Sequence, residues 1–427
     1  MNSKFKIIFT SFFGFLILLG LVAFSSYRSN STQSNEVEIT VWGTVDSNLF
    51  DSYIGKLNQD KNLEVRIKYT QKDADTIDSE LVEAIATGKA PDSVLFPQQF
   101  IKRYLDKVYL IDYDTISERA FRDTFVQEAE IYLQPEGIFA IPFFVDPLVM
   151  YWNKDLFASA GIALPPAKWS EFPLMVNKIS KSDNNANIIK SFASLGEYKN
   201  IDNAKALIST LIMQAGSPIV TMSDSHFVSK MYEKSSNDIM VPAVSAMDFF
   251  TEYSNPKKSV YSWNRSLPSS KQSFLSEDLA TYFGFASEAM DLVEKNPNLN
   301  FDVTMIPQVL DKKVTYGDIY GFSFIRTSPN LTTAFNTISL ITGNQAISSL
   351  LEITNIAPAR KDLISLGSSS SAKTVFYNSA LISRGWIDPN TKRTDEIFQS
   401  MVENITTGRL KVDESVQKAD IELKNLL

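Results

Sequence analysis

The chain has 427 residues, 44% of them hydrophobic and 21% charged, with a formal net charge of −8, one histidine and no cysteine. That length allows two domains of ordinary size, and the acidic balance excludes a nucleic-acid binder, which needs a basic footprint. Without cysteine there is no disulfide framework, thiol nucleophile, iron–sulfur cluster or lipidated-cysteine anchor.

Lys4 and Lys6 precede an apolar run over 7–24, and Arg28 follows. As a helix this run spans about 27 Å, close to a hydrocarbon core. Residues 1–28 read as an uncleaved N-terminal anchor, with a signal peptide cleaved at 23–25 (Ala-Phe-Ser) as the alternative. Either way Lys4 and Lys6 stay inside and the bulk of the chain is exported, on the outer side of the cytoplasmic membrane. Residues 29–36 are polar and rich in Ser and Asn, as in a tether.

A first strand is predicted over 38–42, followed by a helix with Leu49, Phe50, Tyr53, Ile54 and Leu57 on one side. Val65, Ile67 and Tyr69 alternate with charged residues and give a second strand. A helix with Ile77, Leu81 and Ile85 on one face ends at Gly88, and a third strand covers 92–96. This alternation implies a parallel sheet with crossover helices. Such sheets gather ligands beyond the carboxyl ends of their strands. The rule nominates Trp42, Gly43 and Thr44 after the first strand, and Pro97, Gln98 and Gln99 after the third.

Residues 139–172 are the most informative stretch. Pro142 and Pro147 interrupt an apolar run, and no helix passes through both. An extended, buried crossing segment is therefore predicted. Asn153 can cap a short helix that Gly161 closes. Ser170 can cap a second, with Phe172, Met175, Val176 and Ile179 on one face and Pro173 tolerated in its first turn.

Further on, 186–222 reads as helical and 240–253 as another helix. A loop over 262–268 presents Trp263 and Asn264. Residues 274–286 carry a strand with Phe283 at its turn, and 301–307 a strand ending in Pro307. Residues 316–323 set two glycines among aromatics that include Tyr320, which permits close backbone approach. No P-loop spacing accompanies them. Helices follow over 330–344 and 347–353, then Pro358 at a further crossing. Two C-terminal helices come last, the second capped by Asp413.

Catalytic constellations are sparse. His226 stands in Ser-Asp-Ser-His with no G-x-S-x-G elbow anywhere, and one histidine without cysteine makes a poor zinc site. Asp73, Asp75 and Asp78 lack EF-hand spacing. A glycosidase needs only two carboxylates, for which Glu136, Asp146 and Glu171 can be named. Glu171 fits the first turn of a helix equally well.

Four pieces in order carry a resemblance: Pro142-Phe143-Phe144-Val145-Asp146, Trp152-Asn153-Lys154-Asp155, Phe157 with Ala160-Gly161 and Pro165-Pro166, and Trp169-Ser170-Glu171-Phe172. With the segment 83–96 and the ending 401–427, the chain from about residue 37 resembles the family 1 extracellular solute-binding proteins, receptors of ABC importers. The resemblance implies a two-lobed, periplasmic-binding-protein-like α/β fold with several interlobe crossings and a central ligand cleft. Lobe 1 would be 37–144 plus 308–356, and lobe 2 would be 145–307 plus 357–427. It implies no catalysis and no cofactor. A monomer would capture a small solute, a sugar or oligosaccharide, and deliver it to permease subunits in the membrane.

Aromatic planes suit the C–H faces of sugars, and acid or amide groups suit their hydroxyls. The candidate contacts are Trp42, Thr44, Gln98, Phe144, Asp146, Trp263, Asn264, Phe283, Tyr320 and Trp386. Trp152 and Trp169 read as packing residues. In residues 276–278, Ser-Glu-Asp departs from the family's pattern of small and basic residues and leaves that pocket contact open. Two alternatives stand beside this reading. One is a membrane-tethered sensory module of the same fold without an importer; the other is a surface glycosidase.

Overall fold

A computed structural model describes residues 38–59, 66–185, 187–223, 226–234, 240–309 and 313–427. The anchor and tether expected over 1–36 lie outside these residues. Among the described residues no helix is long and apolar enough to cross a membrane.

The spine of the molecule is one strand, Ile141–Asn153, buried along its whole length. The two prolines do not break it. Proline removes one donor from a ladder and is tolerated at bulges and edges. Pro142 sits at a bulge: Tyr320 faces Phe144 but Gly321 faces Pro142, so Phe143 is the extra residue. Pro147 sits where the spine changes partners. Its first half pairs antiparallel with Thr315–Ile325. Its second half pairs with Leu279–Phe285 on one edge and Phe301–Thr304 on the other.

Two lobes hang on this spine. In the first, Ile39–Gly43 lies between parallel neighbours Ile67–Gln71 and Ser93–Pro97, as the alternating pattern implied. Ser93–Pro97 then pairs antiparallel with Thr315–Ile325. The helices Ser47–Gln59 and Ile77–Ala86 bury the faces expected of them: Phe50, Tyr53, Ile54 and Leu57 in one, Ile77 and Leu81 in the other. In the second lobe, Leu279–Phe285 takes Ile188–Ala193 as a parallel neighbour. The helix expected over 186–222 is confined to Ala204–Ala215. Ile188–Ala193 is a strand instead, and Val220–Ser223 pairs with His226–Ser229. Tertiary pairing with Leu279 and Thr281 wins there over a weak local pattern.

Two short pieces also join the crossing. Ala357–Pro358 pairs with Val145 and Phe144 on the spine, and Ser383–Arg384 pairs with Thr315 and Tyr316. The result is a two-lobed α/β architecture on one continuous sheet. Val145, Leu148, Val149, Met150 and Tyr151 are fully buried at its centre. Each such side chain contributes about 1.5–3 kcal/mol of transfer free energy.

Close approach at the bulge gives a test. A Cβ on Gly321 would lie 2.9 Å from both Ala140 Cβ and Tyr132 Cε2, and 3.1 Å from the Ile141 carbonyl. Gly321→Ala is expected to destabilise by about 1–3 kcal/mol, the usual cost of overpacking. Gly55, inside a helix with nothing within 4 Å of its added Cβ, is the control. Gly55→Ala is expected to stabilise by about 0.5–1 kcal/mol. Denaturant melts followed by circular dichroism measure both; equal effects at the two sites would contradict the packing described.

Candidate functional site

The site begins where strand Ser93–Pro97 ends. The chain turns at once into a single 3-10 turn, Gln98–Phe100, which drops Gln98 into the interior. Gln98 Nε2 donates to the Gly317 carbonyl at 2.9 Å, to Asp318 Oδ1 at 3.0 Å and toward the Tyr316 hydroxyl at 3.3 Å. Its Oε1 accepts the Ile319 amide at 2.6 Å. Gln98 therefore fastens the first lobe to the strand Thr315–Ile325.

Asp318 is the focus of this network. Its Oδ1 also accepts Gln99 Nε2 at 2.6 Å and the Tyr316 hydroxyl at 3.0 Å. All of these donors converge on Oδ1, and none of these bonds ends on Oδ2. Gln99 Oε1 is buried without a partner. A cleft of about 430 Å³ opens here, lined on one side by Gln99, Tyr316 and Asp318. Small-ligand sites commonly enclose about 300–1,000 Å³.

The other side comes from a loop and the helix it starts. Tyr198, Asn203, Lys205 and Phe285 line it, with Thr391, Asp395 and Gln399 from the helix Thr391–Thr406. Asn203 is left-handed, at φ 59°, and its Nδ2 donates to Glu288 Oε1 at 2.7 Å. Tyr198 donates its hydroxyl to Asp395 Oδ1 at 2.6 Å. Lys205 Nζ is held by the buried Asp388 at 3.0 Å and by the Thr391 carbonyl at 3.1 Å. The wall thus offers hydroxyl, amide and carboxylate groups already fixed by their neighbours.

Charge at the crossing is concentrated. Asp318 and Asp146 are direct partners across the antiparallel pair. Like charges so placed repel. Burial pushes the Asp318 carboxyl up, while bonds from Tyr316, Gln99 and Gln98 pull it back. Asp146, 9% exposed, accepts the Ser287 amide at 2.9 Å. Burial still pushes it up to about 7, against the pull of Ser287.

Of the ten residues nominated from sequence, none lines the cleft cavity itself; five gather at the crossing around it. Gln98 reaches it through Asp318. Tyr320 stacks on its register partner Phe144, centroids 4.6 Å apart and planes 18° from parallel. The Thr44 side chain bonds to the Tyr320 phenol, and Asp146 faces Asp318. Trp42 is half-buried with Lys72 Nζ 3.9 Å above its ring. The remaining four lie in the packing or turns of the second lobe. Trp263 is 1% exposed and donates Nε1 to Asn200 at 3.2 Å. Trp386 stacks on Phe398 and donates to Ser209 Oγ. Phe283 packs on Trp169, and Phe285, two residues on at the strand's end, lines the cleft. Asn264 closes a turn by accepting the Ser266 amide.

Sequence reasoning missed Tyr198, Asn203 and Lys205 because their loop fell inside a stretch read as helix. Gly196 was the available signal: its φ of 97° marks a turn, and an added Cβ would strike the Ser254 amide nitrogen at 2.6 Å. Asp318 was signalled by the glycines that flank it.

Residues 52–375 match the family described as bacterial extracellular solute-binding protein, and the chain belongs to that family. Its members bind solutes and are not enzymes. No curated protein matches the chain by sequence. Among solved structures, a cyclo/maltodextrin-binding protein complexed with maltotetraose superposes with a TM-score of 0.72 at 14% identity, covering 92% of this chain and 98% of that one. An ABC transporter solute-binding protein from Thermotoga lettingae TMO, bound with alpha-D-tagatose, superposes with a TM-score of 0.68 at 17% identity, covering 91% and 99%. At these identities the likeness is one of fold.

The buried acid at Asp146 sets a pH dependence. The folded carboxyl binds its proton up to about pH 7, whereas an unfolded aspartate releases it near 4. Between those values the native state holds more protons, so stability falls as pH rises. The melting temperature of the unliganded protein is expected to fall from pH 5 to pH 8, and Asp146→Asn to flatten that slope while keeping the acceptor for Ser287. Equal slopes in both proteins would contradict the burial described.

Proposed function

We propose that the protein is the extracytoplasmic receptor of an ABC importer. It captures a small sugar or oligosaccharide between its lobes and presents it to a permease, as a monomer tethered by residues 1–28. The observation that carries this reading is Asp318, whose Oδ1 three side chains hold and which lines a cleft together with Tyr198, Asn203 and Asp395. A solute bridging the two walls stabilises whichever lobe arrangement offers both at once. Sugar hydroxyls find acceptors in Asp318 and Gln99, while Tyr198 and Phe285 offer ring faces. Thr44, Phe144, Asp146 and Tyr320 lie at the crossing beside that cleft and hold its Asp318 wall in register. The maltotetraose and tagatose named for the two solved structures agree with this solute class.

The lobe assignment fits the same reading. Helix Asn344–Ile353 pairs with the first lobe through Lys56 and Glu352, and Tyr53 donates to the Ile341 carbonyl. Helix Thr391–Thr406 meets the second lobe through Tyr198 and Asp395. These support assigning 308–356 to lobe 1 and 357–427 to lobe 2. Backbone change at the crossings would then allow the lobes to close as rigid units.

Thermal shift of the full-length protein in detergent, against monosaccharides, oligosaccharides, polyamines and amino acids, tests this. A sugar is expected to raise the melting temperature in proportion to log concentration. Hydrogen bonds to a charged group contribute about 1.5–3 kcal/mol, so Asp318→Ala is expected to weaken that sugar about ten- to hundredfold. A shift from polyamines or amino acids but from no sugar would overturn the solute class.

A further inference from the structure

Glu128 takes no part in the cleft. It lies in the segment Gln127–Tyr132, 2% exposed, and neither carboxyl oxygen has a hydrogen-bond partner. Its surroundings belong to the lobe crossing. A Cβ on Gly317 would lie 2.7 Å from Glu128 Oε2 and 2.7 Å from Ser383 Oγ. Gly317 precedes Asp318 and faces Pro147, where the spine changes partners. Alternation along the strand puts Glu128 and Asp318 on opposite faces.

The groups around it are committed elsewhere. Ser383 Oγ sits beside the carboxyl; it lies 3.1 Å from the Ser379 carbonyl, to which it donates, and turned the other way it would favour the ionised form of Glu128. The Tyr132 hydroxyl donates to the Ile319 carbonyl at 2.8 Å, and the Tyr316 hydroxyl to Asp318. Arg384 is the adjacent cation, and it donates to the Ser383 carbonyl at 2.6 Å and to Gln127 Oε1. Glu130 is taken by Arg122. Asp318 and Asp146 add like charge nearby. A buried carboxylate whose adjacent cation is committed to other acceptors is costly, which favours the neutral form of Glu128 in this arrangement. Burial first, then Asp318, holds it well above the ordinary glutamate range, with Arg384 and Ser383 opposing.

Three backbone pieces meet at this carboxyl: its own segment, the strand Thr315–Ile325, and Ser383–Arg384 paired to that strand. On the reading that the lobes move, a change of lobe angle would shift the Gln127–Tyr132 segment against the paired strands. We propose that Glu128 is a proton-coupled switch in the crossing: neutral in the arrangement seen, which brings both walls to one cleft, and ionised when the crossing opens and Arg384 leaves Gln127 to pair with it. Closure then takes up one proton from water at Glu128, and opening releases it. This rests on the reading that the cleft works by lobe closure, but not on what the solute is.

Single-molecule energy transfer on the ligand-free, full-length protein tests it. The chain has no cysteine, so Lys89→Cys and Lys257→Cys, both exposed, give one labelled position in each lobe. Between pH 5 and 9 the short-distance population is expected to grow on acidification, by up to about tenfold per pH unit for one coupled proton. Glu128→Gln, isosteric with the neutral form, is expected to hold the short-distance population throughout. Arg384→Met, which removes the partner of the ionised form, is expected to do the same. An unchanged pH response in Glu128→Gln, or two populations insensitive to pH in the wild type, would overturn the switch. Neither result depends on any sugar binding, so the solute reading stands or falls separately.

Discussion

The structure depends on the pairing of Ile141–Asn153 with Thr315–Ile325. One lobe reaches the spine through Ser93–Pro97 and Thr315–Ile325, the other through Leu279–Phe285. A slip of one residue in such a ladder would turn every side chain to the opposite face. It would take Asp146 off Asp318 and Tyr320 off Phe144. The bulge at Phe143 and the narrow space at Gly321 both work against that slip.

The same pairing concentrates acid at the centre of the molecule. Asp146 and Asp318 face each other, and Glu128 lies against Gly317 on the reverse side. Each is treated differently. Asp318 is stabilised by Gln98, Gln99 and Tyr316, Asp146 by Ser287 alone, and Glu128 by at most the Ser383 hydroxyl. Donors fix a carboxylate for recognition, and their absence leaves a carboxyl that responds to pH.

Much of this was legible in the sequence, for local reasons. Asn153 caps its helix as the pattern required, its Oδ1 accepting the amides of Asp155 and Leu156 at 2.9 Å. Phe172, Val176 and Ile179 are buried on one face. The motifs from Pro142 to Phe172 carried the family resemblance and with it the two-lobed fold. The cleft was far less legible. Its walls join Gln99, Tyr198, Lys205, Asp318 and Asp395, which lie far apart in the chain, and no periodicity links them. Trp263, Phe283 and Trp386, expected as contacts, are buried among packed side chains, because large apolar rings stabilise most when buried. The prolines of the spine pointed to an extended segment, but the partner change that accommodates Pro147 is visible only in the folded sheet.

In the proposed cycle one rigid spine carries two lobes that close over a solute held at Asp318. Hydrogen exchange read by mass spectrometry, with and without a sugar that raises the melting temperature, tests it most directly. The spine Ile141–Asn153 is expected to be slow to exchange in both states. Protection is expected to rise together at Gln98–Phe100 in one lobe and around 198–206 in the other. Protection confined to one lobe, or a spine that exchanges as fast as the surface loops, would contradict it.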